Sequence, residues 1–132
     1  MQVPDVDVAA ARRMFASLPA IAVATLSPDG SPHVVPLWFV WPEDAVYVSV
    51  RREGRTWANA GADPRVALTV DVGRSWIELA GIEVLGRADE GRDGRHEQYA
   101  QRAQHDRGDG ELVERTGRIG PRGRGRCRRR VP

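Results

Sequence analysis

Two apolar runs, AIAVATL at 20–26, in which small residues alternate with larger ones, and HVVPLWFVW at 33–41, flank the turn signal SPDGS. This arrangement constrains the fold more than any other feature of the chain. A period of two sends alternate side chains to opposite faces of a strand. Pro28 and Gly30 supply the fixed φ and the inexpensive positive φ that a tight reversal needs. A β-hairpin follows. Along its first strand Ile21, Val23 and Thr25 face one way, and Ala22, Ala24 and Leu26 the other. Pro36 has no N–H to donate, so it belongs at an edge, a bulge or a crossing point of the sheet.

The same pattern recurs downstream. AVYVSV at 45–50 reads as a third strand, VALTVDV at 66–72 as a fourth, and WIELAGIEVLG at 76–86 as a fifth, broken at Gly81. Trp57 and Trp76 read as buried anchors. Between the third and fourth strands, RREGRTWANAGADP is polar and small, a loop with a short helix near Thr56–Ala60. Residues 7–18 read as a leading helix, capped by Asp7, with Val8, Ala11, Phe15 and Leu18 on its apolar side. Five short strands, one helix and no repeated βα crossovers predict a mainly β fold, a small β-barrel. Val34, Val35, Leu37, Trp38, Phe39, Val40 and Trp41 put large apolar side chains on both faces, more than one small core can hold. The second face is therefore expected to pack against another copy of the chain, as a homodimer.

Charge divides the chain. Residues 1–86 hold seven arginines against ten carboxylates, and residues 87–132 hold thirteen against eight, with no lysine anywhere. The boundary is placed at 1–88 for the barrel and 89–132 for an arginine- and glycine-rich tail, expected to be largely disordered because it has little to bury. A short helix is conceivable at 96–104. No β-rich segment is legible after Gly86, so the last barrel strand is a candidate for loss. The tail reads as a divergent or frame-shifted end, or as a basic arm for nucleic acid or anionic lipid.

Several function classes find no support. No apolar stretch reaches the length of a membrane span, and the N-terminus does not read as a secretory signal. One cysteine, Cys127, excludes an internal disulfide; the pattern is that of a cytoplasmic protein. His33, His96 and His105 lack the spacing of a metal site. No serine, histidine and aspartate set suggests covalent catalysis, and the glycines do not form a dinucleotide fingerprint.

The run LPAIAVATLSPDGSPHVVPLWFVWPEDAVYVSV resembles the pyridoxamine 5′-phosphate oxidase-like, flavin-binding split-barrel proteins. GRTWANAGADPRVALTV and WIELAGIEVLGRA are similar to the elements that follow in that family, and the likeness spans Phe15 to Ala88. The resemblance implies a homodimer whose two sites draw on both subunits. It implies FMN or the deazaflavin F420 as cofactor, and an oxidoreductase acting on a small organic substrate. Arg55 falls on the first of the family's two basic positions, which hold the cofactor phosphate. The second, normally lysine, is Thr56 here. Asn59 matches the asparagine that follows. Pro36, Leu37 and Trp38 match the strand beside the ring system, and Thr25 its neighbour.

These assignments suit the chemistry. A phosphate calls for a fixed fork of donors, which arginine supplies, and Arg51, Arg52 and Arg55 lie within five residues. A flat ring calls for an apolar slot with a few polar atoms at its edge. No catalytic residue is named, because in a flavin enzyme the cofactor carries the reactive atom. His33, just after the turn, is a further residue that could approach the cofactor. Two other readings stay open: a non-catalytic cofactor-binding protein of the same barrel, and a nucleic-acid-associated protein using the tail.

Overall fold

Asp7 starts the first helix: its carboxylate accepts a hydrogen bond from the Ala10 amide at 2.9 Å, satisfying one of the donors a helix start leaves open. The computed structural model describes residues 5–43, 45–90, 115–120 and 127–130. Helix α1 (Val8–Phe15) buries Ala11 and Phe15. It stops before Leu18, which nevertheless packs against the core. The Arg12 guanidinium donates to the Pro42 carbonyl at 3.2 Å, tying α1 to the turn after the hairpin.

The remaining elements are β1 (Asp5–Val6), β2 (Ala20–Leu26), β3 (Pro32–Val40), β4 (Val46–Val50), α2 (Arg55–Ala62), β5 (Arg65–Val72), β6 (Ala80–Asp89), β7 (Arg115–Gly120) and β8 (Cys127–Arg130). They form one antiparallel sheet in the order β1-β8-β6-β5-β2-β3-β4-β7. The sheet curls until β7, paired along β4, also meets the end of β6 at Arg87, Ala88 and Asp89. This is a mainly β, split-barrel architecture with a leading helix: the alternation predicts the small barrel, and the family resemblance its split form.

The hairpin of β2 and β3 runs in register from Ala20↔Trp38 to Leu26↔Pro32. Gly30 takes φ +83° at its tip, a value glycine adopts without a Cβ penalty. Ile21, Val23 and Thr25 point inward as the period requires. Ile21 and Val23 join Phe39, Val46, Val48, Val66, Leu68, Val70, Ile82 and Val84 in one core. Each such aliphatic or aromatic side chain contributes about 1.5–3 kcal/mol through removal from water. The outer face of β3 stays open, with Val34 64 % and Trp38 43 % exposed.

Three sequence expectations are corrected. Trp76 is not a buried anchor: it is 73 % exposed, and Ile77 beside it 93 %. The cause is Gly73, whose φ of +115° turns the chain out of β5, so that residues 74–79 form a loop and the strand resumes only at Ala80. Gly81 does not break β6, because pairing with β5 runs through it at Asp71↔Gly81. There a Cβ would stand 3.1 Å from the Val70 carbonyl oxygen, so the glycine marks close packing between strands, not a corner. Finally, strands do follow Gly86. RTGRIG carries almost no apolar signature, but the backbone of β4 offers a ladder of donors and acceptors that any extended segment can satisfy. The helix suggested at 96–104 lies outside the described residues. Among those described, no helix is long and apolar enough to cross a membrane.

Candidate functional site

The barrel is split where β3 and β4 part. They pair only at Phe39↔Val48 and Val40↔Tyr47. From Trp38 back to Pro32, β3 is paired on its β2 side alone. Pro36 sits in this stretch, where a residue without an N–H costs no ladder bond. The gap is a groove of about 870 Å³, within the range of about 300–1,000 Å³ typical of small-molecule sites.

One wall of the groove is β3, through Pro36, Leu37 and Trp38; the other is the end of β4 and its connection to α2, through Arg51, Arg52, Arg55 and Thr56. That connection is a tight turn. The Gly54 amide donates to the Arg51 carbonyl at 3.0 Å, and a Cβ on Gly54 would stand 3.1 Å from the same oxygen. Gly54 then caps α2 with no side-chain hydrogen bond. A helix leaves its first amides without intrahelical acceptors and with a partial positive charge. Here that end lies beside Arg51, Arg52 and Arg55, with Glu53 the one carboxylate among the described residues on the groove wall. Of the residues the sequence singles out, Arg51, Arg55, Thr56, Pro36, Leu37 and Trp38 therefore converge on one groove.

Thr25 and Asn59 lie elsewhere. Both are buried, each 2 % exposed. The Asn59 Nδ2 donates to Thr25 Oγ1 at 3.1 Å and approaches Ser27 Oγ at 3.4 Å. The pair pins α2 to β2 from inside the barrel. Thr25 borders a smaller cavity of about 360 Å³ under α2, together with Val23, Trp57 and Val66. Thr56 stands between the two spaces and lines both.

Three groove residues carry little sequence signal. His33 faces Thr56 across the groove, with Nε2 3.4 Å from Oγ1. Ser49 and Glu53 also line it, and neither was singled out. Alternation along AVYVSV could have turned Ser49 away from the core, since its neighbours Val48 and Val50 are buried. On the hairpin turn, the Ser31 hydroxyl and amide hold the Asp29 carboxyl below the ordinary carboxylate range, and Arg55 adds a smaller attraction. No group of three or more His, Cys, Asp or Glu among the described residues could hold a metal ion.

The donor set and the shape fit a group with an anionic end and a flat apolar body. Arginines and a helix N-terminus face the anion, and a proline-bearing strand with a half-exposed tryptophan faces the ring.

The family model described as pyridoxamine 5′-phosphate oxidase matches residues 8–123. No curated protein matches. Among solved structures, a conserved hypothetical protein from Mycobacterium tuberculosis superposes with a TM-score of 0.73 at 19 % identity, covering 96 % of this chain and 86 % of its own. The FAD binding protein from Mycobacterium smegmatis gives 0.71 at 20 %, covering 96 % and 98 %. An F420 reductase gives 0.61 at 23 %, covering 90 % and 92 %. At these identities the likeness is one of fold.

Proposed function

The chain belongs to the pyridoxamine 5′-phosphate oxidase family, and from that premise we propose that it is a flavin- or F420-dependent oxidoreductase acting on a small organic molecule. The observation that carries the reading is the meeting of Arg51, Arg55 and Thr56 with Pro36, Leu37 and Trp38 on one groove. Two fold relatives support a cofactor of this kind, one being an FAD binding protein and the other an F420 reductase.

When bound, a flavin or deazaflavin supplies the ring atom that takes or gives a hydride. The protein's part is to hold and orient. Arg55 and Arg51 are the phosphate anchors, aided by the Thr56 hydroxyl and the first amides of α2. Pro36, Leu37 and Trp38 form the ring's apolar wall and keep water from one side. Asn59 and Thr25 fix the angle of α2, and so the position of Arg55, without reaching the groove. Each of these is a binding or positioning role, and none is acid–base.

The exposed outer face of β3 favours a homodimer that covers Val34 and Trp38. Titration of the purified protein with FMN and with F420, followed by fluorescence, tests the reading. Micromolar or tighter binding of either supports it, and no binding of both removes it. Light scattering in solution gives the oligomeric state.

A further inference from the structure

His33 and Thr56 are brought together from opposite sides of the groove, one from β3 and one from the first turn of α2, with Nε2 3.4 Å from Oγ1. Both also line the groove itself. A hydroxyl has a single hydrogen to give. When the facing imidazole nitrogen is unprotonated, it accepts that hydrogen, which is then withheld from the groove. An imidazolium has donors on both nitrogens and no acceptor. Nε2 then donates to Oγ1, and the hydroxyl hydrogen is free to point into the groove.

We infer that His33 and Thr56 form a proton-dependent clamp on the phosphate of the bound cofactor. Protonation of His33 adds a positive charge to the groove wall and turns the Thr56 hydroxyl into a donor for a phosphate oxygen. The proton comes from solvent, and no covalent bond changes. The inference rests on the groove being the phosphate site, and it assigns His33 a binding role there.

The charged groups around the ring define the balance. Arg51, Arg52 and Glu53 come from the β4–α2 connection and Arg55 from α2. Asp29 stands on the β2–β3 turn within the field of Arg55. Uncharged Thr25 is the ring's register partner on β2. A phosphate brings negative charge into the groove and attracts a positive charge on the facing imidazole, so anion and proton favour each other's binding.

FMN and F420 are each titrated against the wild-type protein at pH 8 and at pH 6.5, with riboflavin as the phosphate-free control. Affinity for the cofactor that binds rises about three- to fivefold on going to the lower pH. Riboflavin affinity does not follow. A phosphate monoester takes up its own second proton near pH 6, which lowers its charge and works against the expected rise. His33→Gln, which keeps a hydrogen-bonding side chain and cannot charge, loses the rise. His33→Lys, charged throughout, binds tightly and without pH dependence. The wild-type curve decides alone should a variant fail to fold. Binding that is flat or weaker at pH 6.5 overturns the clamp and leaves the groove assignment standing. Failure of both cofactors to bind at either pH overturns both.

Discussion

Asn59 on α2 donates its Nδ2 hydrogen to Thr25 Oγ1 on β2 at 3.1 Å, and the two are the buried polar side chains among the described residues. The bond crosses 34 residues of sequence and joins the helix that carries Arg55 to the central hairpin. Thr25→Val keeps the shape and removes the acceptor, leaving the buried amide only its longer approach to Ser27. A buried donor without a good partner costs about 1–3 kcal/mol. Urea unfolding of this variant should show a loss in that range, and an unchanged midpoint would show that the bond holds nothing.

Arg55 is exposed at the start of α2 and lines the groove. Its truncation should therefore spare the fold and weaken the ligand. Arg55→Ala is expected to lose a charge-assisted hydrogen bond of about 1.5–3 kcal/mol, roughly ten- to a hundredfold in cofactor affinity. The thermal midpoint should stay within a few degrees of wild type. Equal FMN and F420 affinities in the two proteins would take Arg55 out of the site.

Gly73 is tested by adding one carbon. Its φ of +115° is a conformation that only glycine takes without strain, and a Cβ would come 2.5 Å from the Glu78 carbonyl oxygen. Gly73→Ala must distort the loop that exposes Trp76. The expected cost is about 1–3 kcal/mol, the range for strained backbone. A variant as stable as wild type in thermal melts would mean that the loop opens freely.

Asp63 and Arg65 form a surface ion pair, with Arg65 Nη2 2.6 Å from Asp63 Oδ2. Hydrogen bonds from the Arg65 side chain and amide bring the Asp63 carboxyl down to about 2, from an ordinary value of 3.8. A carboxylate lowered in the folded state stabilises above its unfolded value and ceases to do so as pH falls through its folded one. The contribution is thus present above about pH 4 and fades toward about pH 2. Exposure and salt make it small. Wild type should melt slightly above Asp63→Asn at pH 5 and low salt, and the two should converge by pH 2. A gap that widens as the pH falls contradicts the assignment.

Much of the barrel was legible in residue order because each part of it is a local matter. The grouping of Ile21, Val23 and Thr25 on one face follows from a period of two, the β2–β3 reversal from Pro28 and Gly30, and the cap of α1 from Asp7. The groove residues were legible one by one as an arginine cluster and a proline-bearing strand. That they share a groove depends on where β3 and β4 separate, which pairing decides at Phe39 and Val40. Trp76 was misread because apolarity alone does not reveal that Gly73 turns the chain outward first.

By itself, then, the sequence determined strands β2 to β5, the alternation of their faces and the arginine cluster ahead of α2, since alternation, turn chemistry and charge act over a few neighbours. The tertiary structure decided which distant residues meet. It set Asn59 on Thr25 and His33 on Thr56, and it recruited RTGRIG to the edge of β4. These are long-range pairings, fixed by how the sheet curls and by which backbone groups still need partners, and no local pattern encodes them.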